Sequence, residues 1–132
     1  IMSESEPETD PVWGVIFAHG QMAEGMVDAV ARISGISDAL VAISNVGRGP
    51  EAMKAELLEA IGDRRTIVFT DIASGSCATT AAISCKDEGR RVVLCGVNLP
   101  VLLDFVFHRN LPLEELVPRL VANGRDGLRS FP

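Results

Sequence analysis

The chain has 132 residues, of which 47% are hydrophobic, 23% charged and 5% aromatic. These values predict one globular domain and exclude collagen-like, intrinsically disordered and disulfide-scaffold proteins. The net charge is −6, but Glu4, Glu6, Glu8 and Asp10 precede Pro11, so the rest of the chain is nearly neutral and offers no basic surface for a nucleic acid.

Residues 1–11 are predicted to be a disordered acidic leader, and residues 12–132 a single domain. The amino terminus is acidic where a secretory signal would be basic, and no apolar run is long enough to insert into a membrane. Cys77, Cys85 and Cys95 show no metal-binding or redox spacing, so they are expected to be reduced residues of the core. Together these features predict a cytoplasmic protein.

Four short apolar runs rich in Val and Ile predict strands buried on both faces: Val12–Ala18, Leu40–Ser44, Thr66–Thr70 and Arg91–Cys95. The segments that separate and follow them have helical length and apolar spacing: Met22–Ile33, Glu51–Ile61, Ser76–Glu88, Val101–His108 and Leu113–Asn123. This alternation predicts an α/β fold, a doubly wound parallel sheet in a three-layer α/β/α arrangement, and 2-1-3-4 is a common strand order for it.

The tail, Asp126–Pro132, follows the last predicted helix almost without a linker. It contains the apolar residues Leu128 and Phe131. Two alternatives remain open for it, a fifth strand or a frayed end.

His19 and Asp71 are the titratable residues that directly follow a predicted strand. Ligands of open α/β sheets bind beyond the carboxyl ends of the strands, where strand order reverses. With the first and third strands as neighbours, the Asp71 carboxylate would hold one ring nitrogen of His19 and leave the other free for attack. The turn Ser74-Gly75-Ser76 leads into a helix, whose first N–H groups suit phosphoryl oxygens. This combination predicts phosphoryl transfer.

Each of these residues also has a structural interpretation. His19 alone would be a hydrogen-bonded loop residue, Asp71 a helix cap and Ser74-Gly75-Ser76 a tight turn. His108, near a helix end, is expected to be a capping or surface residue, and Arg48 a solvated loop charge. No converging cluster of carboxylates for Mg²⁺ is evident, so neither a metal nor another cofactor is expected.

Several segments together resemble the mannose-family enzyme IIA domain of the bacterial sugar phosphotransferase system, over about residues 12–131. They are Ala18-His19-Gly20, Asp71 before a Gly-Ser turn, Cys95-Gly96-Val97-Asn98-Leu99-Pro100 and Asn123-Gly124-Arg125-Asp126-Gly127. The resemblance implies a cytoplasmic homodimer that takes a phosphoryl group from the histidine-carrier protein HPr and passes it to a IIB component. It also implies that a carboxy-terminal antiparallel strand is exchanged between the two subunits.

The resemblance places His19 at the phosphorylated histidine, Asp71 at its partner aspartate and Ser76 at the serine near the phosphoryl group, with Ser74 and Gly75 as further phosphate-binding residues. Where the family carries Gly-Gly followed by Ser or Thr and then Pro, this chain has Ser74-Gly75-Ser76-Cys77. Two alternatives to a transport role stay open: a regulatory module of the same fold, and a phosphodonor subunit for dihydroxyacetone kinase.

Overall fold

The computed structural model describes residues 10–86 and 89–132. Four strands form one parallel sheet in the order β2-β1-β3-β4, as predicted. The elements in chain order are β1 (Trp13–Ala18), α1 (Met22–Ser34), β2 (Leu40–Ser44), α2 (Pro50–Ile61), β3 (Thr66–Thr70), α3 (Ser76–Cys85), β4 (Arg91–Cys95), α4 (Leu99–Phe107) and α5 (Leu113–Asp126).

Two apolar cores, one on each face of the sheet, hold the helices in place. Successive side chains of a strand point to opposite faces. Thus Ile16 and Phe69 pack with α1, α4 and α5, whereas Val15 and Phe17 pack with α2 and α3. The fully buried Phe17 and Phe69 each contribute about 1.5–3 kcal/mol by leaving water. Burial on both faces explains why the central strands are continuous apolar runs.

The edge strand β4 differs from the prediction of a strand buried on both faces. Its first four residues are only partly buried, and Cys95 at its end is exposed. The prediction that Cys95 is a core residue is therefore wrong, whereas Cys77 and Cys85 are buried as expected. The physical reason is that β4 has a neighbour on one side only, β3.

Helix α5 continues to Asp126, past the predicted end at Asn123. Gly124, which follows that predicted end, is helical and lies against α4. A Cβ on Gly124 would stand 3.3 Å from Cβ of Val101. The side chain of Asn98 joins the two helices, since its Nδ2 donates to the Gly124 carbonyl (2.8 Å) and its Oδ1 accepts from the Val101 N–H (3.0 Å).

Other predicted boundaries agree within a few residues. Helix α4 begins at Leu99 rather than Val101, because Asn98 caps it, and ends at Phe107. Helix α3 begins at Ser76 as predicted and ends at Cys85, while the predicted end at Glu88 lies outside the described residues. Of the predicted leader, residues 1–9 also lie outside them.

After α5 the tail forms no strand within the described chain. Its two large apolar side chains, Leu128 and Phe131, are 89% and 84% exposed. The strand implied by the resemblance is thus not present in a single chain. Among the described residues, no helix has the length and apolar character needed to cross a membrane.

Candidate functional site

The sheet brings His19 and Asp71 together, as the sequence predicts. They follow β1 and β3, which are neighbouring parallel strands, with Phe17 paired to Thr70 at their carboxyl ends. The segments that follow β1 and β3 therefore leave the sheet side by side. The His19 side chain is 39% exposed and that of Asp71 10% exposed. The pair thus combines a sheltered carboxylate with an accessible imidazole.

Two hydrogen bonds from His19 end on one oxygen of Asp71. The His19 backbone N–H donates to Oδ2 over 3.0 Å, and ring Nδ1 lies 2.8 Å from the same oxygen. Oδ1 accepts from the Ile72 N–H at 3.0 Å. Because an ionised carboxylate only accepts hydrogen bonds, Nδ1 carries the ring hydrogen. The unprotonated nitrogen of the neutral ring is then Nε2, with its lone pair available.

The charge of Asp71 is maintained by its hydrogen bonds. Burial alone would raise the pKa of the Asp71 carboxyl, but the hydrogen bonds from the His19 backbone, the His19 ring and the Ile72 backbone outweigh burial and lower the pKa below its ordinary value of 3.8. The carboxylate is therefore ionised near neutral pH. It can stabilise a positive charge that develops on the ring of His19.

The other edge of the His19 ring faces the turn before α3. Gly75 has φ +93°, and a Cβ built on it would lie 3.4 Å from Cε1 and 3.5 Å from Nε2 of His19. A side chain there would be strained by the backbone and would crowd the free nitrogen. Gly75 therefore gives Nε2 room beside the turn.

The amino terminus of α3 begins at this turn. Gly75 is its N-cap residue, and no side chain caps the helix. The first N–H groups of a helix lack intrahelical partners and carry a partial positive charge. Ser74 and Ser76 are both exposed here. Of the three predicted phosphate-binding residues, Gly75 thus lies next to Nε2, and Ser74 and Ser76 flank it in the chain at a helix start whose donors suit an anion.

Two residues at the end of β2, which the sequence does not single out, hold the loop after His19. Asn45 Oδ1 accepts from the Gly20 N–H at 3.1 Å, and Ser44 Oγ donates to the Gly20 carbonyl at 2.7 Å. Gly20 has φ +62°, which favours glycine. Asn45 and Ser44 come at the end of β2, so their position after a strand was the available signal. Their role is to fix the backbone beside the imidazole.

Cys77 is also part of this neighbourhood. It is fully buried, and its Sγ, a ring nitrogen of His19 and a carboxylate oxygen of Asp71 lie within 4.8 Å of one another. Burial raises the pKa of the Cys77 thiol, and the negative charge of Asp71 raises it further, against a hydrogen bond from Ser76. The thiol is therefore protonated near neutral pH.

Two other residues that the sequence singled out have structural contacts. His108 is the C-cap residue of α4, and its Nδ1 lies 2.9 Å from the carbonyl and 3.0 Å from Oδ1 of Asp104. Arg48 donates to the carbonyls of Ser44 and Val46 and pairs with Glu56. None of these hydrogen bonds and ion pairs joins His108 or Arg48 to His19 or Asp71.

The chain matches the EIIA-man family, described as the PTS system fructose IIA component, over residues 14–120. The solved structures that share its fold include the following three. The phosphotransferase system component EIIA from Streptococcus agalactiae is 22% identical with a TM-score of 0.85, covering 91% of this chain and 97% of that one. The mannose/sorbose specific IIA subunit from Enterococcus faecalis is 20% identical with a TM-score of 0.80, covering 93% and 96%.

The third is a sigma-54 interaction domain protein from Enterococcus faecalis, 15% identical with a TM-score of 0.71, covering 92% of this chain and 99% of that one. No curated protein matches the chain significantly. The family match covers most of the chain and includes both His19 and Asp71. The chain therefore belongs to the EIIA-man family of phosphotransferase-system components.

Proposed function

We propose that this protein is a phosphocarrier that accepts a phosphoryl group from phospho-HPr on Nε2 of His19 and passes it to a IIB component. One observation carries the proposal: Asp71 holds Nδ1 at 2.8 Å while Nε2 faces the Gly75 turn at the start of α3. The arrangement supplies a nucleophile, a charge partner for it and donors for the phosphoryl oxygens. Family membership supports the same role.

In the proposed step, the Nε2 lone pair attacks the phosphorus atom of phosphohistidine in HPr. A new P–N bond forms as the old one breaks, and the electron pair of the broken bond returns to the imidazole of HPr. The phosphorylated ring of His19 keeps its hydrogen on Nδ1, where the charge of Asp71 stabilises it. Because a P–N bond replaces a P–N bond, the step needs positioning and charge stabilisation more than a chemical driving force.

The surface around His19 supports a protein as the phosphoryl donor. Met22, Val46 and Ile72 are 41%, 61% and 51% exposed. Met22 begins α1 just after His19, Val46 follows the Asn45 that holds Gly20, and Ile72 follows Asp71. Exposed apolar side chains grouped around a reactive residue are typical of protein-binding surfaces. We propose that HPr and then IIB bind to the surface formed by these three residues.

The experiment that tests this function is a reconstituted relay. The protein is incubated with labelled phosphoenolpyruvate, enzyme I and HPr, and a IIB component is then added. We expect label on this chain only when HPr is present, and its transfer to IIB on addition. Absence of label with the cognate HPr would overturn the proposal.

The relay also separates the carrier from the regulatory alternative. A protein described as a sigma-54 interaction domain protein has the same fold as this chain. That similarity is the reason to keep the regulatory alternative. A regulatory module would accept label from HPr and keep it when each IIB of the source organism is added. Transfer to a dihydroxyacetone kinase instead of IIB would identify the phosphodonor subunit.

We further propose that the protein works in the cytoplasm as a homodimer that exchanges its tails. A groove of about 430 Å³ lies beside the edge strand β4 and α5, and its lining includes Phe69, Leu94, Val97, Leu120 and Leu128. Strand β4 has an open edge in the single chain. An unpaired edge beside an apolar groove favours an added strand, and the exposed apolar tail of a second subunit fits this requirement.

Deleting residues 128–132 is expected to convert the dimer to a monomer and to lower Tm by at least about 5 °C. The reason is that the exchanged Leu128 and Phe131 would bury apolar surface against the partner. Light scattering and thermal denaturation measure the two effects. Ile33→Ser is the matched control, because Ile33 is also exposed, at 61%, but lies on α1. A monomeric intact protein at high micromolar concentration would contradict the proposal.

A further inference from the structure

A third side chain of a type that can bind a metal, Cys77, lies close to the His19–Asp71 pair. The thiol sulfur of Cys77, a ring nitrogen of His19 and a carboxylate oxygen of Asp71 all lie within 4.8 Å of one another. Three elements supply them: the ends of β1 and β3 and the first turn of α3. The fold therefore brings one nitrogen, one oxygen and one sulfur atom close together.

We propose that His19, Asp71 and Cys77 bind a Zn²⁺ ion, which occupies the site in competition with the phosphoryl group. Zinc is the metal that this donor set favours. Imidazole, carboxylate and thiolate are its usual protein ligands, whereas Mg²⁺ prefers oxygen ligands alone. Three protein ligands leave the fourth tetrahedral position for water or a partner's group.

The geometry needs little change for this purpose. Ligand atoms around a tetrahedral zinc lie roughly 3.5 Å apart, so separations of up to 4.8 Å require a shift of roughly 1 Å. The exposed ring of His19 gives the ion a path from solvent, although Cys77 is buried. On binding, the thiol of Cys77 releases its proton to solvent and the thiolate ligates the metal.

The charges of the ligands also favour a cation. The carboxylate of Asp71 and the sulfur of Cys77 lie within 4.8 Å of each other, and both would be negatively charged as metal ligands. A divalent cation would offset both negative charges at once. This compensation distinguishes Cys77 from Cys85, which is buried in the same helix outside the cluster.

The consequence for function rests on the proposed phosphocarrier role. A zinc ion on the cluster takes either the accepting nitrogen of His19 or the Asp71 contact that orients the ring. In both cases the protein cannot accept a phosphoryl group. Zinc would therefore act as a reversible inhibitor of the unphosphorylated protein, and phosphorylation of His19 would prevent zinc binding.

Binding is tested on the full, unphosphorylated chain by titrating Zn²⁺ against a chromophoric chelator. We expect one Zn²⁺ per chain, with affinity reduced by more than about a hundredfold in Cys77→Ser and in Asp71→Asn. Cys95→Ser is the matched control, because Cys95 is an exposed thiol outside the cluster, and it should bind like the natural protein. Binding that Cys95→Ser abolishes and Cys77→Ser preserves would overturn the proposal.

Cobalt substitution gives a test that needs no variant. Co²⁺ bound to a thiolate produces a sulfur-to-metal charge-transfer band, and four-coordinate Co²⁺ has intense visible absorption. We expect both signals in the natural protein. A Co²⁺ complex without the charge-transfer band would overturn the proposal even if Cys77→Ser fails to fold.

The inhibition is tested in the relay, with each protein compared with its own zinc-free rate. Zinc should slow labelling of the natural protein by at least about tenfold, and should have no such effect on Cys77→Ser. Equal inhibition of both proteins would refute the competition. If the natural protein accepts no label without zinc, the proposed function fails, while the titration and the cobalt spectrum still decide the metal site.

Discussion

Replacing His19 by glutamine is expected to lower HPr-dependent phosphorylation by at least about a thousandfold, to the background of the assay. Glutamine keeps a hydrogen-bonding side chain of similar reach, but its amide nitrogen has no lone pair available to attack phosphorus. The fold should persist because the His19 side chain is 39% exposed and outside both apolar cores. Initial rates of label incorporation measure the effect.

His108 offers a matched control for this substitution. It is the second histidine of the chain, and its Nδ1 also contacts an aspartate, Asp104, at 3.0 Å. It lies at the end of α4, away from the turn that begins α3. His108→Gln should therefore keep the natural rate. If His108→Gln loses phosphorylation and His19→Gln retains it, the site has been assigned to the wrong histidine.

Replacing Asp71 by asparagine is expected to slow phosphoryl transfer by about tenfold or more, equivalent to about 1.4 kcal/mol of barrier. Asparagine is nearly the same size but carries no charge to stabilise the phosphorylated ring. Its amide can also present a donor to Nδ1, which would favour the wrong tautomer. Stopped-flow or quenched-flow transfer from phospho-HPr measures the rate. An unchanged rate would show that Asp71 is only a structural residue.

The pH dependence of stability provides an independent check on Asp71. Since its pKa is lowered in the folded protein, the ionised carboxylate stabilises the fold above its ordinary value of 3.8, and this contribution is lost as the pH falls through the lower pKa of the folded state. The Tm difference between the natural protein and Asp71→Asn should therefore be present at neutral pH and shrink in acid. A difference that grows in acid would contradict the charge assignment.

The sequence predicted the His19–Asp71 pair because its cause is topological. Both residues directly follow apolar runs, and neighbouring parallel strands end at the same edge of the sheet. The rule that ligands bind beyond the carboxyl ends of the strands also singled out the turn at Gly75. Any chain with this strand order would bring the residues after β1 and β3 together, whatever the details of its loops.

Other features depend on contacts between distant residues and were not predictable. Gly124 stays helical because Val101 and Asn98 pack against it, so a local rule for helix ends failed there. The segment Gly96–Pro100, which is part of the resemblance to the family, includes this Asn98 link between α4 and α5. The contacts of Asn98 are thus structural, and they lie outside the His19–Asp71 pair.

The position of Cys77 also required the structure. Its thiol points into the apolar core on one face of the sheet, where it packs with residues of β1, β3 and α2 that are distant in sequence. Sequence analysis placed Cys77 in the core, which is correct, but gave no reason to place its sulfur near Asp71. Likewise, the hydrogen bonds from Asn45 and Ser44 to Gly20 depend on loop conformation.

In the proposed mechanism, Nε2 of His19 accepts the phosphoryl group while Asp71 holds Nδ1. Long-range ¹H–¹⁵N NMR of the histidine rings tests it most directly, in protein phosphorylated through enzyme I and HPr. We expect phosphorylation to shift the ¹⁵N resonance of Nε2 of His19, to leave the hydrogen on Nδ1 of His19, and to leave the ring of His108 unchanged. Phosphorylation on Nδ1 of His19, or on His108, would contradict it.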